Sequence, residues 1–156
     1  VFLNKIASID ITVQDVDIKR LREKGIETDG HCRHVRVAFL TGPLFFAATG
    51  QFNEAFSNLK ETHALILSMR GVSLIDTAGI EAIHRLHEQL HNQGGTLMFA
   101  GVHDNARAMM ERDGLVQIIG EENFFWSSDQ AIVEAERRDC AFCASEVIES
   151  PENAAT

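Results

Sequence analysis

Three groups of residues have types and spacings that could do chemistry. The first is Asp76-Thr77-Ala78-Gly79, an acid, a hydroxyl and a glycine just ahead of an apolar stripe at helical spacing. At a helix start four backbone N–H groups lack intrahelical acceptors and the dipole leaves partial positive charge, so Asp or Thr there caps the helix. The same donors could hold a phosphate, either covalently on Thr77 or on a bound nucleotide, with Gly79 permitting close approach. No Gly-rich Walker-type loop exists in the chain, and Glu81 adds negative charge to the first turn, so nucleotide binding is expected to be weak.

The second group is Cys140-Ala141-Phe142-Cys143, the spacing of half a zinc site or of a redox pair, to which His31-Cys32-Arg33-His34 could add ligands. A redox pair belongs at a helix N-terminus that follows a strand, where its thiol pKa is depressed; this pair lies near the end of the last helix. The expectation is of incidental cysteines in a tail, with no metal. The third group, His84, His87 and His91, shares a helical stripe from which two could grip a metal, but no H-E-x-x-H pattern completes it. Solvated or partly buried histidines are expected there. No nucleophile with a base, paired carboxylate or convincing metal set stands out, so no enzyme and no cofactor are expected.

The elements that must position these groups follow from periodicity. A weakly patterned stretch over residues 1–33 holds a possible strand at Ile9–Val13 and a charged segment, Asp17–Lys24, of one or two helical turns. Its cations Lys19, Arg20, Arg22 and Lys24 read equally as a membrane-facing cluster or a solvated face. Val35–Leu40 is β-prone; Leu44–Ala47, after the Gly42-Pro43 turn, reads as a second short strand or the bent end of the first. Phe52, Ala55, Phe56 and Leu59 fall at helical spacing. Ala64–Met69 is apolar on both sides of the pleat, the mark of a central strand covered by helices on both faces.

Ile80, Ile83, Leu86 and Leu90 form one stripe of a helix that Gly94-Gly95 stops, and Thr96–Ala100 supplies the next buried strand. A helix with Ala106, Met109 and Met110 ends near Asp113-Gly114. Phe124–Trp126 is a last short strand, and Ser127-x-x-Gln130 resembles a capping box opening a final helix. The Phe and Met residues at helical spacing read as core contacts. The tail from Asp139 is expected to fray.

With 45% hydrophobic residues in 156, the chain can bury one substantial core and no second. Its net charge of −9, from 23 acidic against 14 basic residues, opposes a phosphate backbone, so nucleic acid is not expected as a partner. Three cysteines, an odd number, give no disulfide framework and point to a reducing compartment. The longest apolar stretch, Val35–Ala48, is interrupted by Arg36, Thr41, Gly42 and Pro43, so no bilayer span is expected. The chain opens at Val1 without a signal-peptide pattern and reads as a fragment of something longer.

The order of strand, Gly42-Pro43-Leu44-Phe45-Phe46-Ala47, helix, buried strand, Leu74-Ile75-Asp76-Thr77-Ala78-Gly79 and helix resembles the STAS domains of the sulfate permease (SulP) family of anion transporters, over about His34 to Arg137. The resemblance implies a single α/β domain: a mixed, largely parallel sheet of four to five strands with flanking helices. It divides the chain into a juxtamembrane linker and N-terminal extension (1–33, with Val1–Ala7 as the connector), a STAS domain (34–138) and a flexible tail (139–156).

It also implies a cytosolic regulatory and protein-interaction module on the inner face of the cell membrane, partnered by the membrane domain of the same transporter or by a cytosolic protein. In the related stand-alone anti-sigma-factor antagonists, the residue after the loop Asp is phosphorylated; Thr77 holds that position. A stand-alone phospho-switch of that kind is the alternative reading.

Overall fold

The computed structural model describes residues 8–16, 18–26 and 32–144. Five strands form one sheet in sequential order: β1 (Asp10–Asp15), β2 (Val35–Thr41), β3 (Ala64–Gly71), β4 (Thr96–Ala100) and β5 (Phe124–Phe125). β1 pairs antiparallel with β2, and every later pairing is parallel. The helices are α1 (Ile18–Glu23), α2 (Thr49–Ala55), α3 (Thr77–Asn92), α4 (Asp104–Arg112), α5 (Leu115–Ile119) and α6 (Ser128–Arg137).

Parallel neighbours taken in sequence order, each joined by a right-handed crossover, place all their connecting helices on one face. Accordingly α2 to α5 cover one side, packing Phe52, Phe56, Ile80, Ile83, Leu86, Leu90, Met110 and Leu115 against Leu65, Leu67, Met69, Leu97 and Phe99. The crossovers leave the opposite side bare, yet its residues are as apolar: Val35, Val37, Ala64, Ile66 and Met98. Only segments outside the crossovers can cover it. They are α1, through Leu21, and α6, through Ala131, Ile132 and Ala135. Alternation along β3 thus feeds two cores, and each buried Leu or Ile contributes about 1.5–3 kcal/mol.

Two expectations change. The domain boundary drawn at residue 34 moves upstream, because β1 pairs along its length with β2 and Leu21 is buried in the second core. At the other end, 141–144 form a helical turn and Phe142 lies 5.5 Å from the His34 ring, so the described part of the expected tail packs on the domain. Residues 1–7, which include the expected connector, and 145–156 lie outside the described residues.

The second short strand at Leu44–Ala47 is not formed. Leu44 makes a single bridge to Ile75, and Phe46–Ala48 is a 3-10 turn running into α2. The reason is a long-range bond: Asp76, 30 residues on, takes the Phe46 N–H, the group a strand would have offered to a neighbour. Among the described residues no helix is long and apolar enough to cross a membrane.

Candidate functional site

The C-terminal ends of the parallel strands form the upper edge of the sheet, and Asp76 stands there between β3 and α3. Its backbone is extended (φ −107°, ψ −178°). Its Oδ1 accepts from Gly79 N at 2.9 Å, capping the helix, while Oδ2 accepts from Phe46 N at 3.1 Å. Asp76 N donates to Leu44 O at 3.3 Å beside the Leu44–Ile75 bridge. The two loop motifs are therefore one structure with Asp76 as its tie.

Gly79 completes the tie. A Cβ there would lie 2.3 Å from Leu44 O and 2.8 Å from Ile75 Cγ1, so only glycine lets α3 reach the preceding loop. Both carboxylate oxygens of Asp76 and the Cα face of Gly79 are committed to protein. Thr77, the first residue of α3, is exposed, and Ala78 is half-buried. Around them stands an apolar group, Phe45 and Phe46 from the segment expected to be a strand and Leu74 from the loop after β3: Phe46 is 77% exposed, Leu74 51% and Phe45 39%. The signal available in the sequence was Gly42-Pro43, which ends the strand before these residues are reached.

Around the upper edge, on the face covered by α1 and α6, lies a cavity of about 500 Å³ whose lining includes Arg20, Lys24, Arg70, Ser127, Ser128 and Asp129. Lys24 pairs with Asp129 at 3.5 Å, and Arg70 donates to Trp126 O at 3.1 Å. Sequence reading took Ser127 as a cap. It is one, accepting from Gln130 N at 3.3 Å, while the Gln130 side chain turns back to Trp126 N at 3.2 Å. The cavity itself is not legible in the sequence, since Arg20 and Lys24 come from α1 and the turn after it while Arg70 comes from β3, some 46 positions on.

The histidine stripe on α3 is spread along the helix. His84 pairs with Glu88 at 3.6 Å, and the His87 and His91 rings stack at 5.9 Å. Burial, followed by the charges of His91 and His84, holds the His87 pKa below the ordinary histidine value.

At the lower edge, where the parallel strands begin, the structure brings Cys140 and Cys143 together with two of the residues that could add ligands, Cys32 and His34, where incidental tail cysteines are expected from the sequence. Cys32 and His34 lead into β2; Cys140 and Cys143 follow α6. One donor atom from each lies within 4.8 Å of the other three, the one such group of three or more among the described residues. The Sγ of Cys143 stands 3.6 Å from that of Cys32 and 3.5 Å from His34 Nδ1, and Cys140 Sγ is 3.8 Å from the same nitrogen. Burial pushes the Cys32 thiol up to about 12, the two neighbouring thiols acting in the same direction against a lowering contribution from the His34 backbone. His31 lies outside the described residues.

Comparison with known proteins places this geometry. The STAS domain family matches residues 24–131. YvdB of Bacillus subtilis (strain 168), whose name assigns it provisionally to sulfate transport, is 26% identical over 93 residues, covering 58% of this chain and 18% of the relative. The chain thus spans about a fifth of that protein's length.

The crystal structure of a sulfate transporter family protein from Wolinella succinogenes shares 30% identity over 67% of this chain and 86% of its own, with a TM-score of 0.62. The murine anion transporter Slc26a9 matches over 88% of this chain and 24% of its own at 18% identity and a TM-score of 0.70. An anti-sigma factor antagonist from Mycobacterium paratuberculosis matches over 85% of this chain and 97% of its own at 16% identity and 0.60. The last two share the fold. A five-stranded sheet tied at its upper edge by Asp76, together with a family match over most of its length, makes this chain a member of the STAS domain family, homologous to the STAS domains of sulfate transporters.

Proposed function

We propose that the chain is the cytoplasmic regulatory and interaction module of a SulP-type secondary anion transporter, and that it docks on the membrane domain of the same polypeptide, or on a cytosolic protein, through the upper edge beside α3. The observation that carries this reading is the exposed group Phe45, Phe46 and Leu74, held in place by Asp76 and Gly79. Large apolar side chains clustered in water mark an interaction surface more than a catalytic one. The homology to much longer transporter chains supports a membrane domain as the partner. The module acts without catalysis.

The test is anion uptake by cells expressing the parent polypeptide, with sulfate as the first anion tried. Phe46→Ser combined with Leu74→Ser lowers uptake or surface delivery while the isolated chain keeps its melting temperature. Unchanged uptake and delivery would overturn the docking reading.

The second reading is a phospho-switch, favoured by the exposure of Thr77 on the first turn of α3 and by the fold shared with anti-sigma factor antagonists. A phosphate on Thr77 would set two negative charges beside the apolar group and break its interface. A partner kinase that labels the wild type but not Thr77→Ala supports it, and equal labelling removes it. Nucleotide binding, if it accompanies either role, is weak at the Asp76 loop because the carboxylate there faces the same donors. The Arg20, Lys24 and Arg70 cavity offers the better charge, and a titration with ATP that leaves Tm unmoved excludes both.

A further inference from the structure

We propose that Cys32, His34, Cys140 and Cys143 form a structural zinc site that fastens the two ends of the domain together at the lower edge of the sheet. The distances are those of a tetrahedron's edges. With Zn–S about 2.3 Å and Zn–N about 2.0–2.1 Å, tetrahedral geometry sets S···S at about 3.8 Å and S···N at about 3.5–3.6 Å. The observed separations are 3.6 Å between Cys143 and Cys32 sulfurs, and 3.5 and 3.8 Å from His34 Nδ1 to the sulfurs of Cys143 and Cys140. Three cysteines and one histidine make a complete set for zinc with no position left for water or substrate, which is the form of a structural site.

The surroundings are built for it. Cys143 N donates to Cys140 Sγ at 3.4 Å, an amide–sulfur bond that closes the C-x-x-C turn and sets both sulfurs on one side of it. On the other side, Glu136 Oε2 accepts from Cys32 N at 3.3 Å and fixes the Cys32 backbone to α6. His34 is buried, its carbonyl accepts from His63 N at 2.8 Å, and its ring lies against Phe142. A disulfide explains less: it needs sulfurs about 2.05 Å apart and would leave a third thiol and the imidazole turned inward without a purpose.

The site also has a mechanical task. The second face of the sheet is covered by α1 and α6, which no crossover holds in place. The ligands sit between α1 and β2 on one side and after α6 on the other, at sequence separations of 106 to 111 residues. Binding zinc releases the three thiol protons to solvent and closes that span, so its binding free energy becomes folding free energy for the terminal cover.

The test uses the whole chain, untagged and purified reduced without chelator. Metal analysis gives one equivalent of zinc per chain, and cobalt(II) added to the stripped chain produces the thiolate charge-transfer and tetrahedral d–d bands of a thiolate-rich site. Cys140→Ser and Cys143→Ser each lower zinc content at least about tenfold, whereas His84→Ala with His91→Ala leaves it at one equivalent. Should the cysteine variants fail to fold, the cobalt spectrum of the wild type decides alone. The proposal is overturned by a wild-type chain that holds no zinc and gives no cobalt thiolate bands, by metal retained in both cysteine variants, or by a Cys32–Cys143 disulfide in the freshly isolated chain.

Discussion

The two edges of the sheet use polar side chains in opposite ways. At the upper edge, Asp76 commits both oxygens to backbone N–H groups and Gly79 lies against Leu44, so these two residues brace the loop while Thr77 and the apolar Phe45, Phe46 and Leu74 stay exposed beside them. At the lower edge, soft donors from residues more than a hundred positions apart turn toward one another. A contiguous motif is explained first by the local backbone it must satisfy. Donors that converge from distant segments have no such local reason.

Several substitutions break or sharpen that contrast. The largest effect belongs to Gly79→Ala, whose Cβ meets a backbone oxygen that cannot move aside; it costs about 2–3 kcal/mol in urea unfolding. Stripping zinc comes next, lowering Tm by on the order of 5–10 °C, roughly 2 kcal/mol. Hydrogen exchange should then quicken at Cys32, His34 and the end of α6 but stay unchanged at Gly79; loosening at both edges would erase the distinction between them.

Asp76→Ala removes a cap and the tie to Phe46 together, a loss of about 1.5 kcal/mol, with Asp76→Asn between it and wild type. Phe46→Ser changes stability by no more than about 0.5 kcal/mol, because the ring is mostly in water already. A larger loss would mean that Phe46 belongs to the core and not to a docking surface.

The smallest effect is His87. Its folded pKa lies below the unfolded value, so the unfolded chain binds more protons in the window just below about 6.5. Stability from this residue is therefore present above that window and declines as pH falls through it. Titration of the ring by NMR should place its midpoint under those of exposed histidines, and His87→Gln should flatten that part of the stability profile.

Much of the fold was legible because it is written in local period. The stripe Ile80, Ile83, Leu86, Leu90, the two-sided run at Ala64–Met69 and the Ser127 cap all stand where the pattern put them. The Leu44–Ala47 segment was misread because an apolar run shows no sign of the distant carboxylate that claims its N–H. The exposure of Phe46 was hidden for the same reason. The Cys and His residues were visible one by one, but their meeting depends on α6 running back down the sheet to the start of β2. No single-sequence period encodes that return.

The sequential strand order has a last consequence, for synthesis. As the chain emerges, β2 to β5 and their crossovers can assemble in order, each closing a loop of modest length. The second face follows only in part: α1 can lay Leu21 on it early, but Val37, Ile66 and Met98 lack the cover of Ile132 and Ala135 until α6 leaves the ribosome and folds back across them. For most of its translation this domain is a sheet with one face only partly covered, and the interval before its final helix arrives is when it most needs shelter from other nascent chains.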